Sequence, residues 1–246
     1  TTDVVGAEKF YSGFLGWEPD HQPMGEGMIY SMQRVGGKSA AAMYDQREDQ
    51  KAAGMPPMWL TYISVDDVDS TTAKVAPDGG SVMQEPFDVF DSGRMSIVTD
   101  PAGGVIGLWQ AKDHIGSQVS REHGAISWNE YMSSDADKSK AFFEAVLGVT
   151  FFADPGMGGY SMMMVDGAPV AGVIQRSEQM PKLANPWLVY FAVDNCDTAF
   201  EKATSTGATA VVPPMDIPPG RFAIMKDPQG AEFAVMTVNP DYSPGG

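Results

Sequence analysis

Glu130 stands two positions after Trp128 in the run ISWNEYMS, so on a strand the two side chains share one face. A carboxylate beside an indole is desolvated, which lifts its pKa toward neutrality. It then suits general-base work or pairing with a cationic ligand. The structural alternative, a rim glutamate that is paired or solvated, weighs more. Tyr62 and Tyr190 occupy matching places in WLTYISV and WLVYFAV. Each phenol offers a hydrogen bond to a ligand, against the commoner reading of a core tyrosine with its hydroxyl satisfied. Arg94 and Arg221 also match, with Asp88 and Asp216 just upstream. A clasp holding loop to hairpin is preferred there over an anion site. Cys196 follows Asp194-Asn195 at a predicted helix start, where a thiolate gains stability, but no histidine lies nearby to activate it. The three histidines, His21, His114 and His123, fall in expected loops or a linker, where a lone imidazole is ordinarily just solvated.

The bulk properties narrow the partners. The 246 residues suit one large domain or two of about half that size. Hydrophobic residues make up 43% of the chain, enough for real cores, and no apolar run approaches the ~20 residues of a membrane span. A net charge of −16 argues against a nucleic-acid partner, which needs a basic face. The single cysteine excludes an internal disulfide framework and fits a reducing compartment. With no leader visible, a cytoplasmic location is expected. The 17 methionines fill cores and line adaptable apolar pockets.

The elements that must position these residues come in repeats. GRMSIVTDPAGGVIGLW (93–109) and GRFAIMKDPQGAEFAVM (220–236) are matched hairpins, each with proline at the second turn position and glycine at the fourth. Asp3, Asp67 and Asp135 cap predicted helices, with a fourth over 194–206. Strands are expected around 27–35, 39–44, 59–65, 126–132, 160–165, 169–174 and 187–193. Residues 45–58 and 175–186 read as loops. The pattern is strand, helix, three strands, repeated four times, an α+β architecture of tandem βαβββ modules. One module cannot bury both faces of its small sheet. Two joined modules make a curved mixed sheet with helices outside and a cup inside. The expected division is a domain over 1–112, a linker over 113–124 and a domain over 125–246.

AEKFYSGFLGWE (7–18), SKAFFEAVLGVTF (139–151), the WLxYxxVD-type strands and the DPxG hairpins resemble the vicinal-oxygen-chelate superfamily of glyoxalases, bleomycin-resistance proteins and extradiol dioxygenases. More closely, the chain is similar to a two-domain glyoxalase-like type common in actinobacteria. The family places a strand before the first helix, and here the chain opens at Thr1-Thr2-Asp3. That strand therefore lies outside the sequence, or the first cup is open on one edge. Family enzymes hold a divalent metal with inward histidine and glutamate side chains. The resemblance puts Trp128, Leu60, Leu188, Gly107 and Ala234 at those positions, with Ala41 and Ala171 near the fourth-strand ones. None of these side chains ligates a metal, so no metal and no cofactor is expected. The cup should remain, lined by Trp128, Glu130, Leu188, Tyr190 and Glu232 in the second domain and by Tyr62 and Trp109 in the first.

These readings imply metal-independent binding of an apolar or aromatic small molecule, as in sequestering relatives. The alternative is a metal-free isomerase, lyase or cyclase using Glu130 or a tyrosine as its acid–base group. A metal-dependent glyoxalase or dioxygenase is less favoured. The expected partner is a small-molecule ligand, with no nucleic acid and no membrane; pairing as a homodimer is left open.

Overall fold

Asp100 and Asp227 open the two matched turns, and each turn closes as its sequence dictates. Gly103 N donates to Asp100 O at 3.0 Å and Gly230 N to Asp227 O at 2.9 Å. Both glycines have positive φ, a conformation that costs a residue with a Cβ. The computed structural model describes residues 1–23, 29–153 and 158–242.

In chain order the elements are α1 (Val4–Leu15), β1 (Glu18–Pro23), β2 (Ile29–Val35), β3 (Lys38–Tyr44), α2 (Glu48–Ala52), β4 (Tyr62–Ser64), α3 (Val68–Val75), β5 (Ser81–Val89), β6 (Gly93–Thr99), β7 (Val105–Ala111), β8 (Ile126–Ser133), α4 (Ala136–Leu147), β9 (Thr150–Ala153), β10 (Tyr160–Val165), β11 (Ala168–Gln175), β12 (Trp187–Ala192), α5 (Cys196–Ser205), β13 (Thr209–Ile217), β14 (Gly220–Lys226) and β15 (Glu232–Val238). Asp3, Asp67, Asp135 and Asn195 each accept a hydrogen bond from the helix that follows. Each such cap stabilises by about 1 kcal/mol. The expected helix over 194–206 thus starts two residues later. The expected loop at 45–58 contains the short helix α2, and the expected strand at 59–65 shortens to β4. His21, expected in a loop, lies on β1, where Gln22 faces Tyr30. Of the strand expected over 27–35, residues 27 and 28 lie outside the described residues.

Pairing follows one rule. A module's first strand runs parallel to its last, as β4 does to β7, β8 to β11 and β12 to β15, and the hairpin pairs within modules are antiparallel. A strand, crossover helix and parallel partner require this. The fold is α+β with helices against mixed sheets, as the sequence pattern implies.

Packing groups the modules crosswise into two compact units. The first unit comprises residues 1–59, 116–127 and 189–242 among those described. Its core gathers Tyr11, Phe14 and Trp17 with Phe191, Phe233 and Val235. Residues 116–127 are part of this unit rather than a free tether. Gln118 N donates to Ser39 O on β3 at 2.7 Å, and Ala192 N donates to Ala125 O at 2.8 Å. The segment so supplies backbone partners both to β3 and to β12. The second unit comprises residues 60–115 and 128–188 among those described. Its core gathers Tyr131, Phe142, Phe143 and Trp187 with Val98, Ile106 and Leu108. Tyr131 and Trp187 stack with ring centroids 4.9 Å apart.

Each unit carries one buried aspartate latch. In the second, Asp100 accepts from Tyr131 Oη at 2.6 Å, Ser139 Oγ at 2.5 Å and Gly104 N at 2.7 Å. In the first, Asp227 accepts from Tyr11 Oη at 3.0 Å and from three backbone N–H groups of its own turn.

Candidate small-molecule site

Strand alternation sorts the second unit's side chains. Ile63 on β4, Ile106 and Leu108 on β7, Tyr131 on β8, Met163 on β10 and Ala171 and Val173 on β11 all pack into the helix-side core. Their neighbours point to the other face of their own sheets: Tyr62, Gly107 and Trp109 on the sheet β4-β7-β6-β5, and Trp128, Glu130, Tyr160 and Gly172 on the sheet that holds β8, β11 and β10. Thr61 Oγ1 meets Asn129 Oδ1 at 3.0 Å, a side-chain bond between the two sheets.

Both tyrosines lie over glycines. A Cβ built on Gly107 would run into Cδ1 of Tyr62, and one on Gly172 into Oη of Tyr160, with Nε1 of Trp128 at 3.0 Å. Only glycine lets these rings settle where they do. Trp128 Nε1 donates to Tyr160 Oη at 2.8 Å. Tyr62 meets Trp109 edge to face at 6.4 Å between centroids, and Trp109 Nε1 donates to His114 O at 2.9 Å. The result is an aromatic face on which Tyr62 is exposed, Trp128 and Glu130 are half-buried, and Trp109 and Tyr160 are buried.

The structure does not gather the predicted site residues into one set per sequence half. Trp128 and Glu130 share their unit with Tyr62, Trp109 and Leu188, whereas Tyr190 and Glu232 belong to the other unit. Leu188 is fully buried at 0% exposure and Tyr190 nearly so at 4%, so both serve packing. Glu232 is buried and pairs with Lys226 on the facing strand at 3.1 Å. Surface hollows of about 390 Å³ (Asp216, Gly220, Arg221, Thr237) and 300 Å³ (Asp78, Pro101, Lys138, Phe142) contain none of the predicted residues. The aromatic residues thus lie outside both hollows.

The chemistry of the corner does not fit a metal. The fourth-strand position expected near Ala171 falls on Gly172, because Ala171 packs on the helix side. The four family positions in this unit are then Leu60, Gly107, Trp128 and Gly172, and none carries a donor a cation can use. Side-chain growth from either glycine meets a tyrosine. Among the described residues no three histidine, cysteine, aspartate or glutamate side chains cluster at metal-binding distance. His21 Nε2 meets Glu8 at 2.7 Å and His123 meets Phe14 O and Asp194 N, while the His114 ring packs edge to face on Trp109 with centroids 6.0 Å apart.

The remaining candidates are structural. Arg94 bonds Asp69 on α3 at 2.7 Å, with Asp88 farther off at 3.5 Å. Arg221 likewise bonds Asp197 on α5 at 2.8 Å and Asp216 at 3.0 Å. Both arginines clasp hairpin to helix through a partner the sequence reading missed. Cys196 is buried, and burial pushes its thiol up to about 11, away from reactivity. Tyr160 and Gly172 were also missed. The repeated YSM at 30–32 and 160–162 was the available signal.

Comparison with known proteins gives the family. The family described as Glyoxalase/Bleomycin resistance protein/Dioxygenase superfamily matches residues 1–108 and 125–235. A Mycobacterium tuberculosis protein named "Putative glyoxylase CFP32" is 43% identical, over 98% of this chain and 92% of its own length. The Streptomyces peucetius "Anthracycline biosynthesis protein DnrV" is 32% identical, over 98% and 91%. Among solved structures, the 2,3-dioxygenase LapB from Pseudomonas sp. KL28 superposes with a TM-score of 0.61 at 14% identity, over 98% of this chain and 92% of that one. That likeness is one of fold.

Proposed function

Because the chain belongs to the glyoxalase/bleomycin resistance/dioxygenase superfamily, we propose that it binds a planar, largely apolar small molecule on the aromatic face of its second unit without the help of a metal. The observation that carries this is the pair of tyrosines laid over Gly107 and Gly172, where side chains able to ligate would have to stand. Aromatic side chains engage flat ligands through stacked and edge-to-face contacts. Tyr62 and Trp128 supply the accessible rings, and Glu130 adds one carboxylate beside them. The name of the Streptomyces relative supports the reading, since anthracyclines are flat fused-ring aromatics. No helix among the described residues is long and apolar enough to cross a membrane, and the net charge of −16 disfavours nucleic acid.

A second reading, a metal-free enzyme on the same face, draws on the half-buried Glu130 next to Trp128. A fluorescence titration with 2-aminoanthracene tests the binding itself. The expected result is saturable quenching of tryptophan emission, with Trp128→Ala weakening the affinity by about 3- to 10-fold. Saturation that appears only after a divalent ion is added would overturn the proposal, as would binding indifferent to both Trp128→Ala and Tyr62→Ala.

A further inference from the structure

Phe90 stands in the turn between β5 and β6, and two of its features work against stability. Its backbone φ is +48°, a region that costs any residue with a Cβ and is a true outlier for a bulky one. Its side chain is 72% exposed, more than any other large hydrophobic among the described residues. The matched hairpin does without both, since it turns through Pro218 and Pro219 and puts its positive φ on Gly220. A strained residue persists only where its surroundings hold it, and such residues cluster where ligands are gripped. Here the surroundings do hold it. Ser92 N donates to Val89 O at 3.0 Å and closes the turn, and His114 N donates to Ser92 O at 3.0 Å. The carbonyl of His114 accepts the Trp109 indole proton at 2.9 Å. The Phe90 turn is thus tied to Trp109 through the backbone of His114. The indole also reaches the turn directly. A Cβ on Gly93 would run into its Cζ2, and Gly93 faces Val89, the residue before Phe90.

We propose that Phe90 is a ligand-contacting residue of the aromatic face, and that its ring closes on the outer edge of a planar apolar molecule lying along Tyr62 and Trp109. This rests on the binding function proposed above. Phe87 continues the same face toward the turn, because it pairs with Met95 and Met95 pairs with Trp109. Apolar side chains therefore lead from Trp109 to the turn. Contact removes ring surface of protein and ligand from water together, which offsets the exposure and the strain that the free protein carries. No covalent step is involved.

The test measures affinity and stability on the full chain. Phe90→Gly should weaken binding of 2-aminoanthracene by about 3- to 10-fold. The same variant should raise the urea midpoint at an unchanged slope, since glycine adopts the turn without strain. Phe90→Tyr, which keeps a ring, should match the wild-type protein in both measurements. A residue that only shapes the turn would give Phe90→Gly the added stability with no loss of affinity. That result overturns the inference while leaving the aromatic site intact. A lowered midpoint in Phe90→Gly overturns it as well, as does a Phe90→Tyr protein that binds as weakly as Phe90→Gly. Failure of the wild-type protein to bind the probe overturns the binding function and this inference with it.

Discussion

Tyr11 on the first helix donates its hydroxyl to Asp227, 216 positions further along the chain, at 3.0 Å. The same oxygen accepts the Trp59 indole proton at 2.9 Å. One phenol thereby ties the first helix, the end of the first module and the final hairpin together. That contact marks why the chain packs crosswise: the first module finds its partner in the last, not in its neighbour. Tyr11→Phe keeps the ring, removes one donor from a buried carboxylate and orphans the indole N–H. The expected loss is about 1–3 kcal/mol, read as a lower urea midpoint with an unchanged slope.

Alkaline pH should destabilise the fold. Burial, with Asp227 next, raises the Tyr11 phenol well above its ordinary 10.0. Burial and Asp100 raise Tyr131 in the same direction, and burial lifts Cys196 from 9.0 to about 11. A raised pKa means the folded state holds its proton where the unfolded state has lost it. Stability is therefore fully present below about pH 9 and falls as pH climbs through 9–11 and beyond. Thermal melts between pH 7 and 11 should show this decline. Cys196→Ala should flatten its lower part and Tyr11→Phe its upper part, each measured against its own value at pH 7.

Glu130→Gln separates a binder from an enzyme. On the proposed function, affinity for a neutral planar probe stays within about 2-fold, and neither form turns the ligand over. Product formation by the wild-type chain, lost in Glu130→Gln while binding persists, would move the assignment to catalysis.

Much of the fold was legible because its local signals agree. Asp3, Asp67 and Asp135 cap helices at the predicted places, and the Asp-Pro-x-Gly turns at 100–103 and 227–230 close both hairpins. The site was legible only in part. Trp128 and Glu130 both lie on β8, where a period of two sets them on one face without tertiary knowledge. It did not reveal which modules share a face. Tyr190 and Glu232 follow Trp128 and Glu130 in the same sequence half yet fall in the other unit, where Glu232 meets Lys226. Partner choice between modules depends on long-range contacts such as Tyr11 to Asp227, which no local pattern encodes. Tyr160 was passed over because its role appears only when Gly172 and Trp128 are brought beside it.

Metal content of the purified chain, after exposure to zinc, nickel, manganese and iron and removal of free ions, bears most directly on the reading of the tyrosine-covered corner. The expected result is no stoichiometric ion, with affinity for the planar probe the same before and after chelation. One ion retained per chain, with probe binding lost on its removal, would contradict it.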